Sequence, residues 1–570
     1  MSSRAILHFY SFCAFLWPKI LVYLWVALLA FSFYISVRTS YRRSLGTEEF
    51  AYACDSFGYL RMAKQIRHAY AHGVWPEFKL ESPQTRMLID FMQQNNVSVP
   101  RWEEVVAPHA HHYFPQSNYV GVQYPPGTGL VLAMFPQGEA VYRLNRVVVW
   151  VFILAGVAAL AIAAWKRAWM SIGLVVLALT VGLMVLARLG ALTFSMNAVL
   201  VPIILMCVFS LLALRFRAAD RDGLALLFAL LAGICLGLAT LIRLPSFLLS
   251  VGFLVLLWPG FRNFRIKSLP VAFALGATIA GVIPIVINQH NVAGAWYLST
   301  YASVDAAPPT LQRLDENLSY FLGSGHASVD NWAVVAAFIG LVGFLMLYVR
   351  RDSEHLNRLG LSSKRFVLAV ALLWLIPIAY FLTHRITGAH YMISSIFATL
   401  TLLGFGALAI EITSPLAPRF EPRRIISWVA LALILWPGAE TIKRSWYQRD
   451  FAPAPERSTT HAPILLPSEL VDNKAWIWAD LLTGSLWYYA NKPAFKIQFT
   501  DEETRAMLFK FVWDRGDRQY LIQDSEQMKV YISEIEKLGG RLEMRGKVDG
   551  QPYFLVVWPN GVPSVADKRG

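Results

Sequence analysis

Long apolar runs separated by short polar segments dominate this chain. A helix needs roughly 20 residues to cross about 30 Å of hydrocarbon. Windows near this length lie at 20–37, 145–164, 168–187, 194–214, 223–242, 245–259, 268–288, 331–349, 366–383, 390–410 and 425–438. The windows at 245–259 and 425–438 are the shortest. The pattern predicts a mainly α, polytopic membrane protein with about eleven transmembrane helices.

Two regions depart from this pattern. Residues 38–144 form a long loop rich in Pro, His, Trp and Tyr, with segments typical of amphipathic helices that lie along a membrane. The tail alternates short β-like runs, such as AWIWAD and PYFLVVWP, with the helical segment SEQMKVYISEIEKLGG. This alternation predicts a small α/β domain. We therefore predict a transmembrane domain over residues 1–440, which includes the loop, and an α/β domain over 441–570.

The distribution of Lys and Arg predicts the orientation. Loops assigned to one side carry sixteen: Lys166, Arg167, Arg215, Arg217, Arg221, Arg262, Arg265, Lys267, Arg350, Arg351, Arg358, Lys364, Arg365, Arg419, Arg423 and Arg424. The four loops assigned to the other side carry Arg188, Arg243, Arg313 and Arg385. Because basic loops stay in the cytoplasm, we expect a cytoplasmic N-terminus. The loop at 38–144 and the tail then lie on the outer, extracytoplasmic face.

Composition excludes several classes of protein. The 570 residues are 56% hydrophobic, with a mean hydropathy of +0.46, which is atypical of a soluble domain. The net charge of +14 does not indicate nucleic-acid binding, because the basic residues lie between apolar runs. The four cysteines are scattered without a CxxC pair, so neither a zinc site nor a disulfide framework is expected.

Ionisable residues are almost absent from the middle of the predicted spans. This argues against an ion-coupled transporter or a proton pump. Cations lie instead at the predicted outer ends of the helices, at Arg188, Arg243, His384, Arg385 and His390. An arginine at this depth can bind a lipid phosphate through two hydrogen bonds. The alternative is that each arginine snorkels to the interface or pairs with a loop carboxylate.

Asp55 lies just beyond the first predicted span, in the segment ACDSFGYLRMA. A helical frame puts Asp55, Tyr59 and Met62 on one face, because they are spaced i, i+4 and i+7. A carboxylate here can act as a general base that takes the proton of an attacking hydroxyl. The alternative is an N-cap, a position that Asp favours.

The segment PHAHHYF contains three histidines, His109, His111 and His112. Imidazoles bind zinc and similar ions. Because no companion carboxylates stand at a defined spacing, we predict no metal and no certain cofactor. A divalent cation held by these histidines stays open as an alternative.

The order of five motifs resembles a known family. DxxxY at 55–59 follows the first span, YPPG at 124–127 precedes the second, and LIRLPS at 241–246 ends a later helix. NQHNVAGAWYLSTY at 288–301 then begins an outer loop, and HRITGAHYMISS at 384–395 opens a late span. Over residues 20–440 the chain resembles the GT-C superfamily of membrane glycosyltransferases. It is most similar to the branch with the protein O-mannosyltransferases and the lipid A aminoarabinose transferase.

This resemblance implies an inverting glycosyltransferase that takes a sugar from a polyprenyl-phosphate donor. The acceptor, on the outer face of the membrane, is a protein, a lipid or a polysaccharide. The resemblance gives Asp55 the role of general base. The implied donor-phosphate residues are Arg243, Arg385, Arg188, His390 and Tyr391, and the further substrate-site candidates are Tyr59, Tyr124 and Glu49. Spans rich in Ala, Leu, Val and Arg favour a bacterial inner membrane, with the tail in the periplasm.

Two departures from the family pattern weaken parts of this assignment. Gln123 and Tyr124 stand where the aminoarabinose transferases have an acidic residue and a lysine that is expected to contact the donor phosphate. Ser56 follows Asp55 where the family often has a second acidic residue. Two rival hypotheses are a non-catalytic handler of lipid-linked glycans, such as a flippase, and a degenerate family member with an inert Asp55.

Overall fold

The computed structural model describes residues 54–97, 103–166, 194–258, 268–300, 363–383, 394–402 and 466–562, with scattered positions in 27–38, 175–186 and 310–314. The predicted spans at 331–349 and 425–438 lie outside the described residues. So does the domain boundary at 440.

Helices make up most of the membrane part. They are α5 (Ala140–Lys166), α6 (Phe194–Ala218), α7 (Asp222–Ile242), α8 (Ser250–Leu257), α9 (Leu269–Ala277), α10 (Ile283–Ala293) and α11 (Ser363–Thr383). A 3₁₀ turn (Leu244–Leu249) precedes α8, and a π turn (Thr278–Val282) joins α9 to α10, where Pro284 opens the second half. Proline and π turns are ordinary ways of bending an apolar helix.

Four of the described helices are long and apolar enough to cross a membrane: Ala140–Ala158, Phe194–Ala218, Asp222–Ile242 and Leu269–Ala293. They coincide with the windows predicted at 145–164, 194–214, 223–242 and 268–288. Shorter apolar helices at Leu244–Leu257 and Arg365–Tyr380 correspond to the windows at 245–259 and 366–383. The described part of the chain is thus mainly helical, with four helices that could span a membrane, whereas the total of about eleven spans stays a prediction.

Glycines bring α7 against the bent helix α9–α10. A Cβ at Gly237 would lie 2.7 Å from the backbone nitrogen of Gly281, and one at Gly276 would lie 2.7 Å from that of Ile234. Side chains larger than hydrogen would force these backbones apart. Small residues allow such close packing between apolar helices, where dispersion contacts replace the hydrophobic effect.

The loop between α5 and the first span folds into more than the predicted helices. It contains α1 (Cys54–His72), α2 (Pro83–Gln94), α3 (Glu103–Val106) and α4 (Gly127–Ala133). It also contains a three-stranded antiparallel sheet in the order β1 (Lys79–Leu80), β3 (Tyr119–Val122), β2 (His111–Phe114). Aromatic and β-branched residues favour these strands, and Asn118, at φ 54°, turns the β2–β3 hairpin.

The tail is the predicted small α/β unit. Its helices are α12 (Ser468–Val471), α13 (Thr483–Ala490), α14 (Glu502–Asp514) and α15 (Glu526–Lys537). Its sheet has the order β4 (Ala475–Trp478), β5 (Arg518–Ile522), β7 (Gln551–Val557), β6 (Arg541–Val548). Strands β4 and β5 are parallel, and the other pairs are antiparallel.

The loop and the tail share one hydrophobic core. Leu88, Met92 and Val105 of the loop belong to the same buried cluster as Trp476 and Phe509 of the tail. Backbone hydrogen bonds join the two pieces as well, since the amide of Lys496 donates to the carbonyl of Val105 at 3.1 Å. We call this contact between residues 54–139 and residues 466–562 the loop–tail seam.

Candidate functional site

Asp55 lies in helix α1, which the structure describes over Cys54–His72. The next residues on the face predicted from the spacing are buried: Tyr59 is 4% exposed and Met62 is fully buried. The ring of Tyr59 lies 4.6 Å from that of Tyr124, centroid to centroid.

The YPPG motif lies directly against α1. Gly58 permits the approach, because a Cβ there would lie 2.6 Å from Ala110 Cβ and 3.4 Å from Tyr124 Cδ2. Gly129, the third residue of α4, faces α1 in the same way, since its Cβ would lie 2.6 Å from Met62 Cβ and 3.4 Å from the backbone nitrogen of Ala63. The amide of Gln123 donates to the hydroxyl of Tyr124. Tyr124 is thus a buried side chain that is held by its neighbour.

The LIRLPS motif meets YPPG from the other side. A Cβ at Gly127 would lie 2.5 Å from the backbone nitrogen of Ile242, at the end of α7. Thr128 Oγ1 donates to the carbonyl of Ile242 at 3.2 Å. Arg243 follows at once; its backbone N–H donates to the carbonyl of Ala239 at 2.8 Å and its side chain is buried. Asp55, Tyr124 and Arg243 thus lie on three segments packed against one another.

The NQHN motif also lies at this end of the helices. Ser117 Oγ donates to the carbonyl of Val292 at 3.0 Å, and the hydroxyl of Tyr119 donates to that of Asn291. Gly294 ends α10 at φ 85°, a left-handed conformation that glycine adopts without strain. Four of the five motifs behind the family resemblance therefore meet at the helix ends that contact the loop.

Several predicted site residues lie outside the described part of the chain: Glu49, Arg188, Arg385, His390 and Tyr391. For Asp55 the structure describes the helix but not the side chain. Their predicted roles stay predictions.

The three histidines point to different partners. His109 Nε2 lies 3.5 Å from Asp480 Oδ1, and His112 Nδ1 lies 3.2 Å from Glu104 Oε1. His111 Nδ1 donates to the carbonyl of His109 at 2.9 Å. Within the residues that the structure describes, no group of three His, Cys, Asp or Glu side chains is arranged to hold a metal ion.

An ion pair buried in the seam joins Glu104 of the loop to Lys496 of the tail. Lys496 Nζ lies 3.3 Å from Glu104 Oε2, and the two side chains are 3% and 8% exposed. Burial raises the pKa of Glu104, but the hydrogen bond from His112 and the charge of Lys496 outweigh it and hold the pKa at about 2.

Two aspartates, Asp480 and Asp524, follow the parallel strands of the tail. Asp480 and Asp524 come two residues after β4 and β5, where the carboxyl ends of parallel strands meet. Asp524 accepts hydrogen bonds from the backbone N–H groups of Asp480 and Leu482 at 2.7–3.1 Å. Burial raises the pKa of Asp524 to about 6, with a contribution from Asp480. This pair fixes the turn into α13.

Sequence reasoning missed five residues in or next to the seam: Glu104, Lys496, Asp480, the neighbouring Asp524, and Arg61, whose guanidinium carbon lies 5.4 Å from the centre of the Trp487 ring. For Asp480 and Asp524 the signal was available, because an acidic residue just after a strand at a parallel edge is a typical polar position. For Glu104 and Lys496 no such signal exists in the sequence, because these two partners are 392 residues apart.

No family model, no curated protein and no solved structure matches this chain.

Proposed function

We propose that this protein is a GT-C-like membrane glycosyltransferase that transfers a sugar from a polyprenyl-phosphate donor to an acceptor. One observation supports this above all: the segments that carry Asp55, Tyr124 and Arg243 pack together at one end of the helix bundle. These segments are far apart in the chain, yet they are the ones on which the family resemblance rests.

In the proposed reaction Asp55 takes the proton of an acceptor hydroxyl as its oxygen attacks C1 of the sugar. The bond from C1 to the phosphate oxygen breaks on the opposite face, so the configuration inverts and polyprenyl phosphate leaves with the bonding electrons. A fixed cation stabilises the negative charge that develops on this phosphate. Arg243 is the described candidate, and Arg385, Arg188, His390 and Tyr391 are the others. Tyr59, Tyr124 and Glu49 complete the proposed substrate site.

The scarcity of charged residues in three of the four described spans favours an enzyme over a flippase. Between residues 194 and 214 and between residues 223 and 242 there is no Asp, Glu, Lys or Arg, and the α9–α10 span contains only His290, in its last turn. A protein that moves a charged headgroup across the bilayer is expected to line its path with such groups. The chemistry is therefore assigned to the helix ends.

We assign the end that contacts the loop and the tail to the extracytoplasmic face. The asymmetry of Lys and Arg between the two sets of loops supports this orientation. The proposed location is a bacterial inner membrane, with the tail in the periplasm.

The substitution Asp55→Asn tests the proposed base. Glycan and glycolipid mass spectrometry of cells with and without the gene first identifies the product, and complementation with variants follows. We expect Asp55→Asn to enter the membrane normally and to bind donor, but to lose product formation by about 10²–10⁴-fold, the usual contribution of a general base. Asp90→Asn is the matched control, because Asp90 is exposed in α2 of the same loop.

The kinetics of Arg243→Gln test the phosphate site. We expect a lower rate with the lipid-phosphate donor and an unchanged response to acceptor concentration. Normal product formation by Asp55→Asn would refute the catalytic assignment. Unchanged donor kinetics in both Arg243→Gln and Arg385→Gln would move the phosphate site elsewhere.

A further inference from the structure

Arg61 lies in the loop–tail seam on the side of α1 that faces the tail. Phe57, one turn earlier, packs against Tyr488 and Tyr489, with ring centroids 6.1 and 5.8 Å away. The guanidinium carbon of Arg61 lies 5.4 Å from the centre of the Trp487 ring. Helix α13 of the tail therefore covers the side chain of Arg61.

The charge of Arg61 has no acidic partner among the described residues. Its Nε is buried, and no described group accepts its hydrogen. Burial alone lowers the pKa of Arg61 to about 10, so the group is still a cation at neutral pH. Other cations covered by the tail fold are paired: Lys496 with Glu104, and Arg505 with Glu534 at 2.8 Å. A covered cation without a counter-charge is unfavourable, and in this respect Arg61 differs from Lys496 and Arg505.

His111 provides a second unmatched polar atom close by. It follows Ala110, which touches Gly58 of α1, one turn before Arg61. Its Nδ1 donates to the carbonyl of His109, so Nε2 is the acceptor, and that atom is buried with no described donor. Burial and the charges of Arg61, His112 and Lys496 lower the pKa of His111 to about 3, so the ring is neutral and lies in a positive field.

These two side chains have complementary chemistry. A guanidinium presents parallel N–H donors that match the two oxygens of a phosphate or a carboxylate. A neutral imidazole nitrogen accepts a hydrogen from a hydroxyl. The aromatic face of Trp487 holds the guanidinium plane through a cation–π contact.

We propose that Arg61, His111 and Trp487 form a binding site for an oxyanion, a phosphate or carboxylate group that carries or adjoins a hydroxyl. The site lies on a different face of α1 from Asp55, Tyr59 and Met62, since Arg61 is offset from them by about a third of a helical turn or more. It therefore binds a part of a ligand that is distinct from the group at Asp55. The inference does not depend on glycosyl transfer, because its test measures anion binding alone.

The experiment is an anion titration of the full-length protein in phosphatidylcholine nanodiscs at constant ionic strength. Inorganic phosphate is titrated in one arm and glycolate in the other, with chloride as the reference, and binding is followed by calorimetry and by the thermal unfolding midpoint. We expect saturable one-site binding in at least one arm. A ligand that binds only the folded state raises the unfolding midpoint. The arm that saturates identifies phosphate or carboxylate as the ligand class.

The variants locate the site. We expect Arg61→Gln to weaken anion binding at least tenfold, and Arg61→Lys to weaken it several-fold because lysine lacks the planar fork. The control is Arg545→Gln, which removes an exposed tail arginine paired with Glu543 at 2.7 Å and should leave binding unchanged. Absence of saturable binding in both arms with the wild-type protein would overturn the proposal. Arg61→Lys decides the test if Arg61→Gln does not fold. An anion affinity of Arg61→Lys equal to that of the wild-type protein would also overturn the proposal.

Discussion

Gly127 and Ile242 lie so close that a single methyl group at residue 127 would come within 2.5 Å of the Ile242 backbone nitrogen. This contact joins the YPPG turn of the loop to the end of a membrane helix. The contact places Arg243 next to the YPPG turn, which also packs on α1. The segment of the proposed base, Asp55, is thereby joined to the segment of Arg243, which we propose binds the donor phosphate. Neither segment can move aside without a shift of its backbone, because the added Cβ and the atoms that it would meet are both fixed to main chain.

We expect Gly127→Ala to destabilise the protein by about 1–3 kcal/mol, the usual effect of overpacking a close contact. The measurement is the thermal unfolding midpoint of the purified protein. Gly223→Ala is the matched control, since a Cβ there meets nothing within 4 Å and alanine favours a helix. A Gly127→Ala variant as stable as Gly223→Ala would contradict the close packing of these segments.

The Glu104–Lys496 pair makes the loop–tail seam sensitive to acid. The unfolded carboxyl takes up a proton near its ordinary pKa of 4.5, whereas the folded one stays ionised down to about 2. The stabilisation is therefore complete above pH 4.5 and is lost as the pH falls through about 2. From this shift it amounts to roughly 3 kcal/mol at neutral pH. Hydrogen exchange at the Lys496 amide, which bonds to Val105, measures the opening of the seam.

We expect Glu104→Gln to lower the opening free energy at pH 7 by about 3 kcal/mol, because it leaves the buried Lys496 without a counter-charge. The same variant should have a weaker dependence on pH between 5 and 3. Glu543→Gln is the control, since its ion pair with Arg545 is half-exposed and should contribute less than about 1 kcal/mol. Equal effects of the two substitutions would show that the seam does not depend on this pair.

The membrane orientation is tested by cysteine labelling in a variant whose four native cysteines are replaced by alanine. Lys529 is exposed on the tail, and Ala219 is exposed between α6 and α7, at the helix ends opposite the loop. We expect an impermeant maleimide added from the outer face to label Lys529→Cys at once. Ala219→Cys should react only after the membrane is opened. The reverse pattern would invert the proposed orientation, and labelling of both from one side would contradict the helix arrangement.

The local sequence predicts helices and strands correctly where one physical factor dominates. The apolar runs at 194–214 and 223–242 are uniform and long, so burial in lipid and backbone hydrogen bonding leave helix as the outcome. The tail strands at 475–478 and 518–522 are aromatic and β-branched between turns, which favours a sheet. The β2–β3 hairpin in the loop was not predicted, because its four-residue strands are too short for a clear period.

Sequence alone determined that long apolar helices alternate with polar segments and end in an α/β tail, and it placed Asp55, Tyr124 and Arg243 in order along the chain. The tertiary structure decided that their segments touch, that the loop and the tail share a core, and that Arg61 is covered by Trp487. The physical reason is the separation along the chain over which each kind of interaction acts. Helix and strand preferences depend on neighbours a few residues away, whereas a contact such as Glu104 with Lys496 depends on the packing of segments hundreds of residues apart.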